Sequence, residues 1–195
     1  MKKTRSVDII FWLMFVGVGF ATGAYLVHRD MSDGFGAVTY GKIPRFELID
    51  QKEEPFTFKD LNNEVWVANF ICTTCAGPCT SMSEIMASLH KQLNYEHDIH
   101  TVSITVNPEY DNAQILKTYS DRYDADHDRW HFVTGSRDKI KELAVDGFHI
   151  GVKEDVISHS TLFVLVDQNR IIRGYYNGTE LDEIKKLVRD VKRLL

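Results

Sequence analysis

The chain has few of the residues that cross-link or break a fold. Of its 195 residues only 3 are cysteine and 4 are proline, which excludes a disulfide-dense scaffold stapled along its length. Glycine numbers 12, and hydrophobic residues make up 44% of the chain. This composition excludes collagen and disordered chains and is typical of one globular domain with an apolar core and a short extra segment.

Clustered positive charge is also missing beyond the first few residues. The formal net charge is −5 at pH 7, whereas proteins that bind nucleic acid carry a basic patch that matches the phosphate backbone. We therefore expect no nucleic-acid partner.

One long uncharged run lies near the N-terminus, at residues 9–27. As a helix it would span about 29 Å, close to the hydrocarbon thickness of a bilayer. Lys2, Lys3 and Arg5 precede it, so the positive-inside rule predicts a single-pass protein whose C-terminal domain lies on the periplasmic or an equivalent non-cytoplasmic side. A cleaved signal peptide is the alternative, because residues 21–23 resemble a small-residue cleavage site.

The chain then divides into three parts. Residues 1–29 are predicted to form the N-terminal transmembrane anchor. The polar, glycine-containing residues 30–40 are predicted to form a linker, and residues 41–195 the exported domain.

Strand and helix patterns alternate along that domain. Hydrophobic patterning predicts a leading hairpin at 45–58 and strands at 65–71, 99–106, 130–133, 161–166 and 171–176, the last two forming an antiparallel hairpin. Helical spacing predicts helices at 78–94, 113–123 and 137–145, and a last helix that starts with a cap at Thr179 and Asp182. The alternation predicts a mostly parallel α/β sheet. The order is that of a thioredoxin-like domain with an N-terminal hairpin and inserted elements.

The three cysteines lie where a buried strand meets a helix. Cys75 and Cys79 are at i and i+4, which on one helix face places them about 5 to 6 Å apart. Two thiolates at that spacing can bind one metal ion or form a disulfide, and spacing leaves both open. A helix N-terminus favours the thiolate that either chemistry needs. Cys72 ends the apolar strand, so a buried inert residue is favoured over a third redox partner or ligand.

A soft metal held by two thiolates needs a further ligand, and imidazole is the natural complement. Of the 8 histidines, His159 stands just before the strand at 161–166. In a thioredoxin-like fold that position faces the cysteine turn and normally holds a cis-proline. His149 is left open, and solvation or capping is predicted for the others, namely His28, His90, His97, His100, His127 and His131.

Four segments in this order carry a resemblance to a known family: Asn69–Cys75 leading to Cys79, Ser103–Glu109, Trp130–Gly135, and His159–Ser160 followed by Leu165–Asp167. They resemble the Sco (SenC) family of membrane-anchored copper proteins, which assist assembly of the binuclear copper centre of cytochrome c oxidase. The resemblance implies a copper site formed by Cys75, Cys79 and His159. Such a ligand set suits Cu(I) and, with one more weak ligand, Cu(II).

The function implied is that of a metallochaperone, a binding protein rather than an enzyme. It would deliver copper to an oxidase subunit or mature that subunit's cysteines, with a thiol reductant as a further partner. The alternative is a membrane-tethered thiol-disulfide reductase that uses Cys75 and Cys79. A peroxidase of the peroxiredoxin type is disfavoured, because Thr74 precedes Cys75 without the Pro-x-x-x-Thr-x-x-Cys arrangement.

The chain departs from the family pattern at several positions. Ala76 and Thr80 follow the two cysteines where family members usually have proline, and Asn107 replaces the acid of the Asp-Pro-Glu segment. Cys72 is an addition near the site. A disulfide from Cys72 to either other cysteine would compete with copper, which gives redox chemistry more weight here.

Overall fold

The computed structural model describes residues 39–75, 78–96, 99–151 and 160–195, with the backbone alone at residues 78, 79 and 94–96. The predicted anchor, most of the predicted linker, His28, His97 and His159 lie outside these ranges. Within them, no helix combines the length and apolar character that a membrane span requires. The described residues belong to one compact unit, Thr39–Leu195.

Seven strands and four α-helices are found in the described part of the chain. The strands are β1 (Glu47–Ile49), β2 (Pro55–Thr57), β3 (Trp66–Ile71), β4 (His100–Thr105), β5 (Trp130–Val133), β6 (Leu162–Val166) and β7 (Ile172–Asn177). The helices are α1 (Pro78–Glu96), α2 (Ala113–Asp121), α3 (Arg137–Glu142) and α4 (Leu181–Lys192), and a π-helical turn, Leu143–Gly147, continues α3. Every strand and helix predicted within these ranges is confirmed, with bounds that differ by a few residues.

The main sheet has the order β5-β4-β3-β6-β7. Strands β3, β4 and β5 are parallel, whereas β6 is antiparallel to both β3 and β7. The predicted antiparallel hairpin is confirmed, but the prediction of a mostly parallel sheet is wrong, since two of the four strand pairs are antiparallel. Local patterns show that β6 and β7 are strands, yet the direction in which β6 runs beside β3 depends on a distant pairing.

Strand β3 lies at the centre of this sheet, and all six of its residues are buried. Alternate residues of a strand point to opposite faces. On one face, the rings of Trp66 and Phe70 both make T-shaped contacts with Phe148, at centroid distances of 5.9 and 5.5 Å. This burial explains the nearly unbroken apolar run in the sequence and gives the following cysteines a rigid starting point.

The leading hairpin, β1 with β2, is antiparallel as predicted. It packs against the main sheet, and its residues Leu48 and Phe56 join the same buried cluster as Trp66 and Phe148.

Side-chain caps begin two of the helices, whereas the cap predicted for α4 is absent. Asn112 caps α2 and Ser136 caps α3 through side-chain oxygens that accept backbone N–H groups. The predicted Thr179 cap is wrong: Glu180 precedes α4 and makes no side-chain cap hydrogen bond. Thr179 instead donates its N–H and its hydroxyl to Asn177 Oδ1, at 3.2 and 2.9 Å, because the loop after β7 folds as an Asx turn.

Candidate functional site

The cysteines lie in the connection from β3 to α1. Cys72 follows the strand directly, is 6% exposed, and has its Sγ 3.3 Å from Thr74 Oγ1. The Cys75 N–H donates to the Cys72 carbonyl at 3.4 Å, so residues 72–75 form a tight turn. Cys75 is half-buried at the end of that turn.

Helix α1 begins at Pro78, which makes Cys79 its second residue. Proline is favoured at the first helical position because its missing N–H would have no partner there. The predicted placement of the cysteines between a buried strand and a helix N-terminus is therefore confirmed for the backbone.

A buried carboxylate accepts hydrogen bonds from the cysteine turn. Asp111 is 0% exposed and accepts three hydrogen bonds. The Thr73 hydroxyl donates to Oδ1 and the Thr73 N–H to Oδ2 at 3.3 Å, while the Thr105 hydroxyl donates to Oδ2 at 2.5 Å. Asp111 thus links the turn to the end of β4 and to the start of α2.

Asp111 was not among the candidates from the sequence. Its signal is indirect: it lies four residues beyond Asn107 and immediately before Asn112, the cap of α2. Because β3 and β4 are parallel neighbours, the segments that follow them meet at one edge of the sheet. Asp111 becomes a candidate once the segment after β4 is placed beside the cysteine turn that follows β3.

Asn107, which stands where the resemblance leads one to expect an acid, also faces the turn. Its amide Nδ2 donates to Thr74 Oγ1 at 3.4 Å, and its N–H donates to Thr105 Oγ1 at 3.0 Å. Glu109 instead forms a two-bonded ion pair with Arg137 at the start of α3. The hydrogen-bonded Arg137 guanidinium holds the pKa of Glu109 below its usual value.

His159 lies outside the described residues, but its neighbour Ser160 does not. Strand β6 starts at Leu162 and pairs antiparallel with β3, with Ala68 opposite Val164 and Trp66 opposite Val166. The start of β6 is therefore directed toward the end of β3 that leads into the cysteine turn. The backbone brings Ser160 toward the same end of the sheet as Cys75.

Three other histidines, for which solvation or capping is predicted, are instead buried or half-buried and hydrogen-bonded to other side chains. His90 is 6% exposed, and its Nδ1 lies 2.9 Å from Thr101 Oγ1. His100 and His131 stack with centroids 5.4 Å apart and share a hydrogen bond of 3.1 Å between Nδ1 and Nε2. Burial lowers the pKa of His90 and of His131 to about 4.

These three histidines belong to the opposite end of the sheet from the cysteine turn, because His100 begins β4 and His131 is near the start of β5. Packing of α1 and the leading hairpin over the strands accounts for their burial, which no local pattern reveals. His127 is partly buried beside Ser120 and Asp121. His149 is exposed, with a φ of 54°.

Among the side chains that the structure describes, no group of three or more histidine, cysteine, aspartate or glutamate residues could hold a metal ion. The predicted set draws on the Cys79 side chain and on His159, which are outside that description. The set Cys75, Cys79 and His159 stays a prediction, and its donors of soft sulfur and borderline nitrogen fit a soft metal ion.

The fold and this turn define a class of protein: a thioredoxin-like domain with two cysteines spaced C-x-x-x-C between a central strand and a helix. Within that class the chain belongs to the SCO1/SenC family, whose model matches residues 38–195. The resemblance drawn from the four sequence segments is thereby confirmed.

Individual relatives agree with this assignment. The SCO1 protein homolog of Bacillus subtilis is 34% identical in an alignment 160 residues long, and the match covers 74% of this chain and 83% of that protein. The structure of BsSco, described as a member of the Sco family of cytochrome c oxidase assembly proteins with a disulfide switch, has a TM-score of 0.72 at 32% identity and covers 80% of this chain and 94% of that one. Yeast Sco1 with copper bound has a TM-score of 0.66 at 22% identity, with 80% and 91% covered, and shows the same fold.

Proposed function

We propose that this protein is a copper-binding metallochaperone that acts in the assembly of cytochrome c oxidase. The observation that carries the proposal is the antiparallel placement of β6, which directs Ser160 toward the end of β3 where the cysteine turn begins. This backbone arrangement supports a site at that end of the sheet to which the turn with Cys75 and the segment before β6 both contribute. Relatives of this family include Sco proteins with copper bound.

Copper is the cargo, and Cys75, Cys79 and His159 are its proposed ligands. Two thiolates and one imidazole suit Cu(I), and a fourth weak ligand extends the set to Cu(II). Cys75 is half-buried at the surface end of the turn, where an incoming thiolate of a copper-accepting oxidase subunit can replace it. Stepwise ligand exchange of this kind transfers the ion without releasing it to solvent.

The predicted location supports this role. The uncharged run at residues 9–27 and the preceding basic residues favour a single-pass anchor with the domain on the periplasmic or an equivalent side. A thiol reductant on that side would keep Cys75 and Cys79 in the reduced state that copper binding requires.

The second candidate is thiol-disulfide exchange with the oxidase subunit, favoured by the i, i+4 dithiol and by the disulfide switch described for BsSco. The thiolate of one cysteine attacks a client disulfide and forms a mixed disulfide, releasing one client thiolate. The other cysteine then attacks the mixed disulfide, releasing the second client thiol and leaving a Cys75–Cys79 disulfide. A thiol reductant returns that disulfide to two thiols.

Anaerobic Cu(I) titration of the full chain in detergent tests the proposal, with His159→Ala as the informative variant. We expect the wild-type protein to bind one Cu(I) tightly and His159→Ala to lose most of that affinity, because a third ligand is removed. His149→Asn is the matched control, since asparagine tolerates the positive φ at that position, and its affinity should equal that of the wild type.

Disulfide exchange with a model disulfide separates the two candidates. The copper proposal predicts that His159→Ala keeps exchange while losing Cu(I). If the wild type and His159→Ala bind Cu(I) equally weakly while the dithiol still exchanges, the protein is a tethered reductase. If His149→Asn alone loses copper, the ligand set is wrong.

A further inference from the structure

The carboxylate of Asp111 is the most completely buried acid near the cysteine turn. It is 0% exposed, and a carboxylate without partners in such a place costs several kcal/mol. Its two oxygens accept from Thr73 Oγ1, from the Thr73 N–H and from Thr105 Oγ1. Hydrogen bonds to an ionised acceptor are shorter and stronger than those between neutral groups, so this carboxylate holds its donors firmly.

The residues that donate hydrogen bonds to Asp111 belong to the cysteine turn and to β4. Thr73 lies between Cys72 and Cys75, and both its backbone and its side chain bind Asp111. Thr105 is the last residue of β4, whose register with β3 is fixed by the parallel pairing of Ile71 with Thr105. Through Asp111 the turn is therefore attached to the end of β4 in the rigid sheet.

We propose that Asp111, acting through Thr73, is a positioning residue that holds the cysteine turn in the conformation that binds Cu(I). The inference rests on the proposed function for its cargo, and it goes beyond the ligand set by assigning a role to a residue that is not one of the proposed ligands. Partners of metal ligands orient them, and their loss typically lowers metal affinity by about 10- to 100-fold.

Asparagine at this position has nearly the same shape but presents one amide NH₂ to groups that are themselves donors. We expect Asp111→Asn in the full chain to lower Cu(I) affinity by about 10- to 100-fold, measured by competition with a chromophoric Cu(I) chelator. The reduced protein without copper should also show faster alkylation of Cys75 by iodoacetamide, followed by mass spectrometry of the labelled peptide, because the turn opens more often.

Asp190 offers a matched control. It is 2% exposed on α4 and accepts hydrogen bonds from Tyr176 and Arg193 at 2.8 and 3.1 Å. Asp190→Asn removes an equally buried charge beside β7 at the opposite edge of the sheet from β4 and β5. We expect it to lower the melting temperature while leaving Cu(I) affinity and the Cys75 alkylation rate unchanged.

A second pair of variants tests the same contact from the other side. Thr73→Val removes the hydroxyl that donates to Asp111, and Thr73→Ser keeps it. Thr73→Val should reproduce the Asp111→Asn effects on Cu(I) affinity and alkylation, whereas Thr73→Ser should behave as the wild type. If Asp111→Asn does not fold, these two Thr73 variants still test the positioning role of the Thr73–Asp111 contact.

The outcomes separate this inference from the proposed function. If the wild type binds no Cu(I) tightly, the chaperone function fails, and the Cys75 alkylation rates alone test the positioning role. If Asp111→Asn and Thr73→Val lower the melting temperature but leave both Cu(I) affinity and alkylation unchanged, Asp111 only stabilises the fold and the inference is overturned.

Discussion

Cys72 and Cys75 belong to one short turn but differ in accessibility. Cys72 is 6% exposed and packs against the Thr74 hydroxyl, whereas Cys75 is half-buried at the surface end of the turn. Thiol-disulfide exchange requires that an attacking thiolate reach the sulfur. The favoured interpretation of Cys72 as a small buried residue agrees with its burial, while its chemical role stays a prediction.

We expect the oxidised protein to contain a single bridge, from Cys75 to Cys79, because Cys72 is shielded from oxidants and thiols. Mass mapping of the oxidised, non-reduced chain measures this directly. Cys72→Ala should keep Cu(I) affinity at the wild-type level and cost about 1 kcal/mol of stability, typical of a conservative change in a core. A mapped bridge that includes Cys72 would show that it takes part in the redox chemistry.

Asn107 departs from the family pattern in residue type but still contacts the cysteine turn. The amide cannot act as an acid, yet it donates to Thr74 in the turn. The buried acceptor at this end of β4 is Asp111, four residues further along the chain. An acid-base role inferred from motif position alone does not carry over to Asn107.

The leading hairpin extends the main sheet beside β5, and no local pattern in the sequence of the hairpin indicates this pairing. Ile49 and Thr134 exchange two backbone hydrogen bonds of 2.8 Å, which places β1 beside the residue after β5. Gln51 is 1% exposed, and its side chain donates to the Trp130 carbonyl at 3.1 Å and accepts from the Phe132 N–H at 2.8 Å. This amide pairs with the edge strand β5 as a neighbouring strand would, and so covers an edge that could otherwise aggregate.

We expect Gln51→Ala to lower the free energy of unfolding by about 2 kcal/mol, because it leaves a buried N–H and a buried carbonyl of β5 without these partners. Urea denaturation measures the change. Gln114→Ala is the control: Gln114 is exposed on α2, and its loss should change stability by less than about 0.5 kcal/mol. Equal effects of the two substitutions would contradict the role of Gln51.

At the scale of the whole molecule, the described residues include titratable side chains at opposite ends of the main sheet. The cysteine turn follows β3, and the cluster of His90, His100 and His131 lies near the starts of β4 and β5. The charged groups that face His90 are Asp126, Arg129 and His100, and those that face His131 are His100, Asp50, Lys52 and Asp60. Burial outweighs the nearby carboxylates, so both histidines are neutral at pH 7.

This burial makes stability depend on pH. A histidine whose pKa is about 4 in the folded protein and about 6.5 in the unfolded chain binds fewer protons when folded, so stability falls as pH drops from about 6.5 toward 4. We expect a loss of about 2 kcal/mol per histidine at pH 5 relative to pH 7.5. Urea unfolding between these pH values measures it.

His90→Gln is the matched variant, because glutamine does not titrate and can still bind Thr101. It should weaken the pH dependence by the contribution of one histidine, whatever its effect on stability at pH 7.5. An unfolding free energy that is equal at pH 7.5 and pH 5 in the wild type would contradict the burial of neutral histidines.

Short-range patterns in the chain were sufficient for the strands, the helices, the cysteine turn and the family, because hydrophobic periodicity and motif spacing are properties of neighbouring residues. The run Trp130–Val133 was predicted with the bounds that the strand has. Long-range pairing was needed for the antiparallel direction of β6, the burial of His90, His100 and His131, and the contacts of Asp111 and Gln51. Each of these depends on which distant segment packs against a residue, and such packing is determined by the summed contacts of the folded chain rather than by any local pattern.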